Sequence, residues 1–346
     1  MDLSIAVFLT QDGIAQGMIY TLLAVALVLI FSVTRIIFVP QGDFVTYGGL
    51  TLASLQLGLF PGTIWILIAL ALSIAVLDAI RAVFGYSTGI RILKSLALIA
   101  YSFGLAAICK SIDLRAQHAL VQIALTLAVV APMGPCIYRI AFEPLAQSSE
   151  LVLLIAAVAV HFVMVGGGLL AFGPEGFRTS EVVSRSFEVG QVTISGQSLA
   201  ILGFGFALII ALYLLVTKTM PGKALMATAI NQTGAKLVGI DLEGAGNRCF
   251  LIAAAVGAFS GILISSVTTI YYDSGFLIVL KGFVAAIFGG LASYPLTAVG
   301  ALGVGLIESL SSFWTSAFKE AVLFSLIVPI LLCRSLLTRS ITGDRP

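Results

Sequence analysis

The strongest constraint on this chain is the recurrence of apolar runs about as long as a bilayer is thick. Gly13 to Val33 passes without one charged side chain. Further runs follow at Ile64–Ala82, Ser95–Cys109, Ala119–Cys136, Leu151–Phe172, Ser198–Val216, Phe250–Ile270, Thr297–Trp314 and Val322–Leu337. A helix of about 20 residues crosses the hydrocarbon core and satisfies its own backbone hydrogen bonds, which lipid cannot do. Two shorter runs, Phe44–Leu59 and Lys281–Ser293, are each bounded by Gly and Pro. Counting them gives about eleven membrane segments in an all-α, polytopic helical bundle, a single domain over 1–346. Only 10% of residues are charged, against about a quarter in soluble domains, which excludes that class. The 35 glycines suit close helix–helix approach. No basic patch with interleaved aromatics is present, so nucleic acid is not an expected partner. Cys109, Cys136, Cys249 and Cys333 lack CxxC spacing and read as small core residues, with no metal or cofactor site expected. Met1 to Gly13 lacks a basic region and a small-residue cleavage site, so no cleaved signal peptide is expected.

Charge placement sets an orientation. Traced through these segments, twelve of the 18 Lys and Arg fall on one side. The other six are Lys110, Arg115, Arg178, Arg185, Lys281 and Lys319. By the positive-inside rule the richer side is cytoplasmic, giving an N-out, C-in topology. Gly173 to Gln197 is then the longest external loop, and alternation from Phe187 to Ile194 predicts a small hairpin.

The longest polar-flanked break in the C-terminal half is 218–248, on the cytoplasmic side. Pro221 is expected to end the preceding helix. From Lys223 a short helix would gather Leu225, Met226, Ala229 and Ile230 on one apolar face. Thr233 is placed to cap a second short helix through Val238, and Gly239 suits its left-handed end. A solvated connector and a docking surface for a soluble partner both fit this pattern.

The residues Gly222-Lys223-Ala224, Ala227-Thr228-Ala229 and Ala235-Lys236-Leu237-Val238-Gly239-Ile240-Asp241 resemble the cytoplasmic coupling loop of branched-chain amino acid ABC permeases of the LivH type. Asn231, Gln232 and Thr233 stand where that family has an Asp-Pro-Glu-like run. Gln41-Gly42-Asp43-Phe44 is similar to the His-Gly-Glu-Phe-like run after the family's first span, with Gln41 and Asp43 replacing His and Glu. Tyr138-Arg139 with Pro144-Leu145 resembles its Tyr-Arg-Pro-Leu run, and Lys281 to Pro295 matches it most closely. The resemblance implies a permease subunit of an ATP-driven importer in a bacterial inner membrane. Its partners would be a second homologous permease, two ATP-binding cassette subunits and an extracytoplasmic substrate-binding protein, with ATP bound by the cassette subunits. Lys223, Ala224, Leu225, Ala227, Thr228, Ala229, Ala235, Gly239, Ile240 and Asp241 would form the ATPase contact. Gln41, Gly42, Asp43, Gly289 and Gly290 would lie near the translocation pathway. The family does not need residues 95–136, which read as a peripheral two-helix insertion.

No HExxH, GxSxG or P-loop occurs in the chain, so no catalytic residue is expected. An ion-coupled secondary transporter is the competing class, because such proteins carry intramembrane ionisable groups. The candidates are Asp43, Asp78, His161 and Glu308. Asp78 reads as a local pair with Arg81, three residues on. His161 reads as a buried, hydrogen-bonded histidine, His118 as an interfacial one, and Glu308 as a partner of Ser309 or a backbone amide. Branched-chain amino acids, urea and short amides remain open as cargo.

Overall fold

A computed structural model describes residues 3–84, 89–181, 186–189 and 192–332. Arg185, Cys333, Arg334, Arg339 and Arg345, used above for orientation or cysteine reasoning, lie outside the described residues. The elements are α1 (Leu3–Thr34), α2 (Gln41–Gln56), α3 (Thr63–Val83), α4 (Gly89–Ser111), α5 (Ala119–Val130) and α6 (Met133–Ile137). They continue with α7 (Glu150–Phe172), the strands β1 (Ser186–Val189) and β2 (Val192–Ser195), α8 (Gly196–Lys218), α9 (Met220–Ile230) and α10 (Gln232–Leu237). The last are α11 (Leu242–Ile264), α12 (Gly275–Phe288), α13 (Tyr294–Trp314) and α14 (Lys319–Ser325). Among the described residues, 8 helices are long and apolar enough to cross a membrane. The protein is a polytopic, multi-pass helical membrane protein. The hairpin forms as expected, with Phe187 opposite Ile194.

Several ends differ from the sequence reading, each for a local reason. Helix α1 begins at Leu3, ten residues before Gly13. Gly13 and Gly17 are not a boundary: an added Cβ at Gly13 or Gly17 would lie 2.9 Å from the Cα of Leu306 or Leu302 on α13. They are sites of close backbone approach. Helix α11 begins at Leu242, eight residues before Phe250, because the Asp241 carboxylate accepts from Glu243 N at 3.1 Å and caps it. Helix α5 ends at Val130, just before Pro132, and α6 resumes at Met133 after a two-residue turn. The chain passes from α5 through α6 into a π-turn at Tyr138–Phe142 and a 3-10 turn at Glu143–Leu145. Tyr138 and Arg139 therefore lie in helical turns, and the missing Pro donors interrupt the α-helical hydrogen bonding before them.

Two compact units separate within the chain. The first consists of Leu29–Val182 and Ile210–Phe276, and α2 is its centre. Every residue from Gln41 to Leu55 is buried. Helix α11 lies against α2 at backbone distance, because a Cβ on Gly261 would stand 1.9 Å from Val45 O and one on Gly48 2.3 Å from Ala258 O. Phe38 stacks edge-on against Phe142 and Phe250, with centroids 5.7 and 4.7 Å away. The 95–136 pair divides in this unit. Helix α4 packs on α3 and leaves much of its surface exposed. Helices α5 and α6 instead pack on α2 and α11 and bury Val129, Val130, Met133 and Cys136. The second unit consists of Met1–Val28, Val183–Ile209 and Leu277–Pro346. In it Ser309 Oγ donates to Leu9 O at 2.7 Å, tying α13 to the first turns of α1.

Candidate translocation and coupling sites

The expected pathway residues Gln41, Gly42 and Asp43 form the first turn of α2. Pro40 holds the N-cap position in a helical conformation. Gln41 Nε2 donates to Ala253 O at 2.9 Å, while its Oε1 is buried without a partner. Asp43 meets His161 of α7, whose Nδ1 stands 2.8 and 3.0 Å from the two carboxylate oxygens. His161 is thus the buried, hydrogen-bonded histidine expected, and its partner is one of the candidate carboxylates. Its ring lies 5.2 Å from Phe276. Close by, Thr46 Oγ1 is buried and unpartnered. Gly275 leaves the space beside it, since a Cβ there would lie 2.4 Å from Gly42 O and 2.8 Å from Thr46 Oγ1. Buried polar atoms left open cost stability and mark places where a small polar molecule or water could be received. Tyr47 closes the neighbourhood by donating to Met164 O at 2.6 Å.

Gly289 and Gly290 belong to the second unit, in the turn after α12. A Cβ on Gly289 would fall 1.9 Å from Thr297 Oγ1, and Gly290 has φ +68°. Lys281, expected at the outer end of the short Lys281–Ser293 segment, lies in the middle of α12 and is buried. Its ammonium donates to Glu308, which also accepts from Tyr20 Oη at 2.6 Å. This corrects the reading of Glu308 as a partner of Ser309, whose hydroxyl turns to α1. An ammonium buried in a span requires a counter-ion, and Glu308 supplies it.

Asp78 and Arg81 do not pair with each other. Asp78 faces inward and accepts from Arg139 at 2.9 and 3.1 Å. Arg81 instead reaches Glu143 at 3.5 Å, as Arg91 does at 3.2 Å. Arg91 also bonds Glu243. Three apart on a helix is near enough to pair, but the two side chains leave α3 toward different neighbours. His118 caps α5, its Nδ1 accepting from Leu120 N at 3.3 Å.

The 218–248 loop folds into α9 and α10. Thr219, not Pro221, marks the break. Its Oγ1 accepts from Gly222 N at 3.1 Å, and Pro221 sits in the first turn of α9, where its missing donor costs nothing. Asn231 caps α10 in place of Thr233, its Oδ1 accepting from Gly234 N at 2.9 Å. Gly239 takes φ +86°, the left-handed end expected. The four-residue apolar face divides. Gly222, Leu225 and Thr228 are buried against the chain itself, as is Ala235. Ala224, Ala227, Ala229 and Ile240 are half-buried, and Lys223 and Asp241 are exposed. Ile230, Leu237 and Val238 are 81%, 84% and 76% exposed, and Met220 and Met226 join them. Gln232 Nε2 anchors the loop to Val33 O at 2.8 Å. Beneath it lies a cavity of about 520 Å³ whose walls include Thr228, Lys236, Tyr138 and Glu143. The division was not legible because hydrophobicity alone does not say which apolar side chains meet their own chain.

Comparison with known proteins follows this geometry. Residues 9–332 match the family model described as the branched-chain amino acid transport system permease component. The chain is 27% identical over 213 residues to the high-affinity branched-chain amino acid transport system permease protein LivH of Escherichia coli, covering 60% of this chain and 69% of that protein. It is 27% identical over 222 residues to the permease protein BraD of Pseudomonas aeruginosa, covering 62% and 72%. A probable LivH of Methanocaldococcus jannaschii is 29% identical over 212 residues, covering 57% and 65%. No solved structure matches the chain. With most of its length matched and its apolar helices in place, this multi-pass inner-membrane chain belongs to the family of branched-chain amino acid transport system permease components.

Proposed function

We propose that the chain is a permease subunit of an ATP-driven importer for branched-chain or related amino acids. It pairs with a second homologous permease, two ATP-binding cassette subunits and an extracytoplasmic binding protein. The termini lie outside and inside respectively, and the α9–α10 loop meets an ATPase in the cytoplasm. The observation that carries this reading is the exposed apolar edge of that loop, Met226, Ile230, Leu237 and Val238, flanked by Lys223 and Lys236. A water-facing connector has no use for such a cluster, whereas a groove on a soluble partner would cover it. The chain itself makes and breaks no bond. ATP binds on the partner subunits, and their closure pushes α9 and α10 so that access alternates between the two sides of the membrane. Gln41, Gly42, Asp43, Gly289 and Gly290 are the chain's candidates for the pathway, where bare backbone and open polar atoms receive a small polar solute. Urea and short amides are the neighbouring cargo classes.

The test is the full complex in liposomes, comparing Ile230→Asp with the wild type. A carboxylate forced into the apolar contact costs several kcal/mol, about 2–5, once desolvated without a partner. The expected result is lost ATPase retention, or ATP hydrolysis without uptake, in a chain that still inserts. Full uptake with ATPases bound would remove the docking role. Leu225→Asp is unsuitable for this purpose, since Leu225 is 1% exposed and its loss disturbs the loop's own packing. Ion-coupled transport is the second reading, favoured by the buried Asp43–His161 and Lys281–Glu308 pairs. It requires uptake that a proton gradient drives without ATP, and the same liposomes measure it.

A further inference from the structure

Helices α3, α4, α6 and α11 line a second, open-sided cavity of about 590 Å³. Its walls are mixed, and Ile74, Leu98, Pro132, Pro135 and Leu251 make up much of the apolar part. The other lining groups are polar or charged. Arg139 is held by Asp78, and Arg91 by Glu143 and Glu243. Of the remaining acidic groups, Asp241 is turned to the cap of α11. Lys94 and Arg248 also line the cavity and make no ion pair among the described residues. Asp241 keeps its charge at that cap, so the lining side chains outside ion pairs are two cations and one carboxylate, a net charge of about +1. Asn247, in the same lining, donates from Nδ2 to Glu243 O at 3.0 Å, while its Oδ1 is buried with no partner. The cavity thus offers two unpaired cations, one acceptor awaiting a donor and an apolar wall.

We propose that this cavity holds one molecule of an anionic glycerophospholipid whose headgroup carries a hydroxyl, namely phosphatidylglycerol. Lys94 and Arg248 face the phosphodiester, and the headgroup hydroxyl donates to Asn247 Oδ1. An acyl chain runs along Ile74, Leu98 and Leu251. Basic pockets at the ends of membrane helices suit anionic headgroups, and here α4 also leaves Leu93 and Leu96 exposed. A soluble phosphate ester would meet the same cations and waste the apolar wall. The lipid would join α4 to α11, the helix that follows the α9–α10 loop. This inference stands apart from ATP coupling and survives its failure.

The experiment is native mass spectrometry of the full-length chain in detergent, titrated separately with phosphatidylglycerol, phosphatidylcholine and glycerol phosphate. One phosphatidylglycerol should be retained well after phosphatidylcholine is lost, and glycerol phosphate should not be retained. The double variant Lys94→Gln, Arg248→Gln should weaken that retention about twenty-five-fold, from roughly fivefold for each cation near a membrane surface. Asn247→Leu, of similar size, should weaken it about fivefold through the lost hydrogen bond, and it carries the test if the double variant does not fold. Equal retention of phosphatidylcholine, tight binding of glycerol phosphate, or variants that bind as the wild type does would each overturn the proposal.

Discussion

Lys281 and Glu308 show what a single residue can decide inside a span. Their charges lie almost wholly out of water, with Tyr20 Oη donating to the same carboxylate. Replacing Lys281 by Met strands Glu308 without its cation and should cost about 3–5 kcal/mol. The double variant Lys281→Met, Glu308→Met should regain most of that loss, because paired removal leaves no orphaned charge. Thermal unfolding of the purified chain in detergent measures both. A single variant as stable as the wild type would contradict the pair. Both ionisable residues were visible in the sequence, but their pairing was not. The sequence puts Lys281 at the outer end of a short run that starts there, whereas α12 begins at Gly275. Asp78 and Arg81 erred in the opposite sense. Spacing offered a neighbour three residues away, and burial turned Asp78 to Arg139, 61 residues on. Asp43 and His161 were each legible as intramembrane polar residues, but a contact across 118 positions leaves no local signal.

At the scale of elements, glycine separates contacts from space. Gly261 carries α11 onto α2, and Gly261→Ala should destabilise by about 1–3 kcal/mol through overpacking against Val45 O. Gly104, in the exposed helix α4, has nothing within 4 Å of an added Cβ. Gly104→Ala should therefore be neutral or stabilise by up to about 1 kcal/mol. Unfolding midpoints of the two variants must move in opposite directions, or at least far apart, for this packing to hold. On α9 the parallel contrast is Leu225→Ala, expected to cost about 2–4 kcal/mol, against Ile230→Ala, expected to cost within about 0.5 kcal/mol in the isolated chain. Helix existence was legible here because long apolar runs have few alternatives in a membrane. Helix ends were less so, since caps such as Thr219, Asn231 and Asp241 lie among other polar residues that could equally have served. Which face of α9 turns inward was set by Gly222, whose missing side chain lets the helix close on Leu215 O.

Over the whole molecule, the membrane class and the family followed from the apolar runs and the Lys281–Pro295 and coupling-loop motifs, while orientation rests on charge placement alone. Single cysteines at Asn231 and Glu175, introduced into a cysteine-free background, test that orientation. Asn231→Cys should react with an impermeant maleimide only from the cytoplasmic side and Glu175→Cys only from the outside. Reversed labelling would invert the topology. The complete burial of α2 has a consequence in time as well as in space. This helix carries Gln41, Asp43, Thr46, Thr51 and Ser54, and its main partner, α11, is synthesised some 200 residues later, as the Gln41–Ala253 bond across 212 positions records. At about 5–20 residues per second, the ribosome leaves α2 without that partner for roughly 10–40 s. A helix so polar is a poor guest of lipid in the meantime. Until then α2 has only the earlier helices it touches, such as α5 and α7, and its final seating is an event of late synthesis.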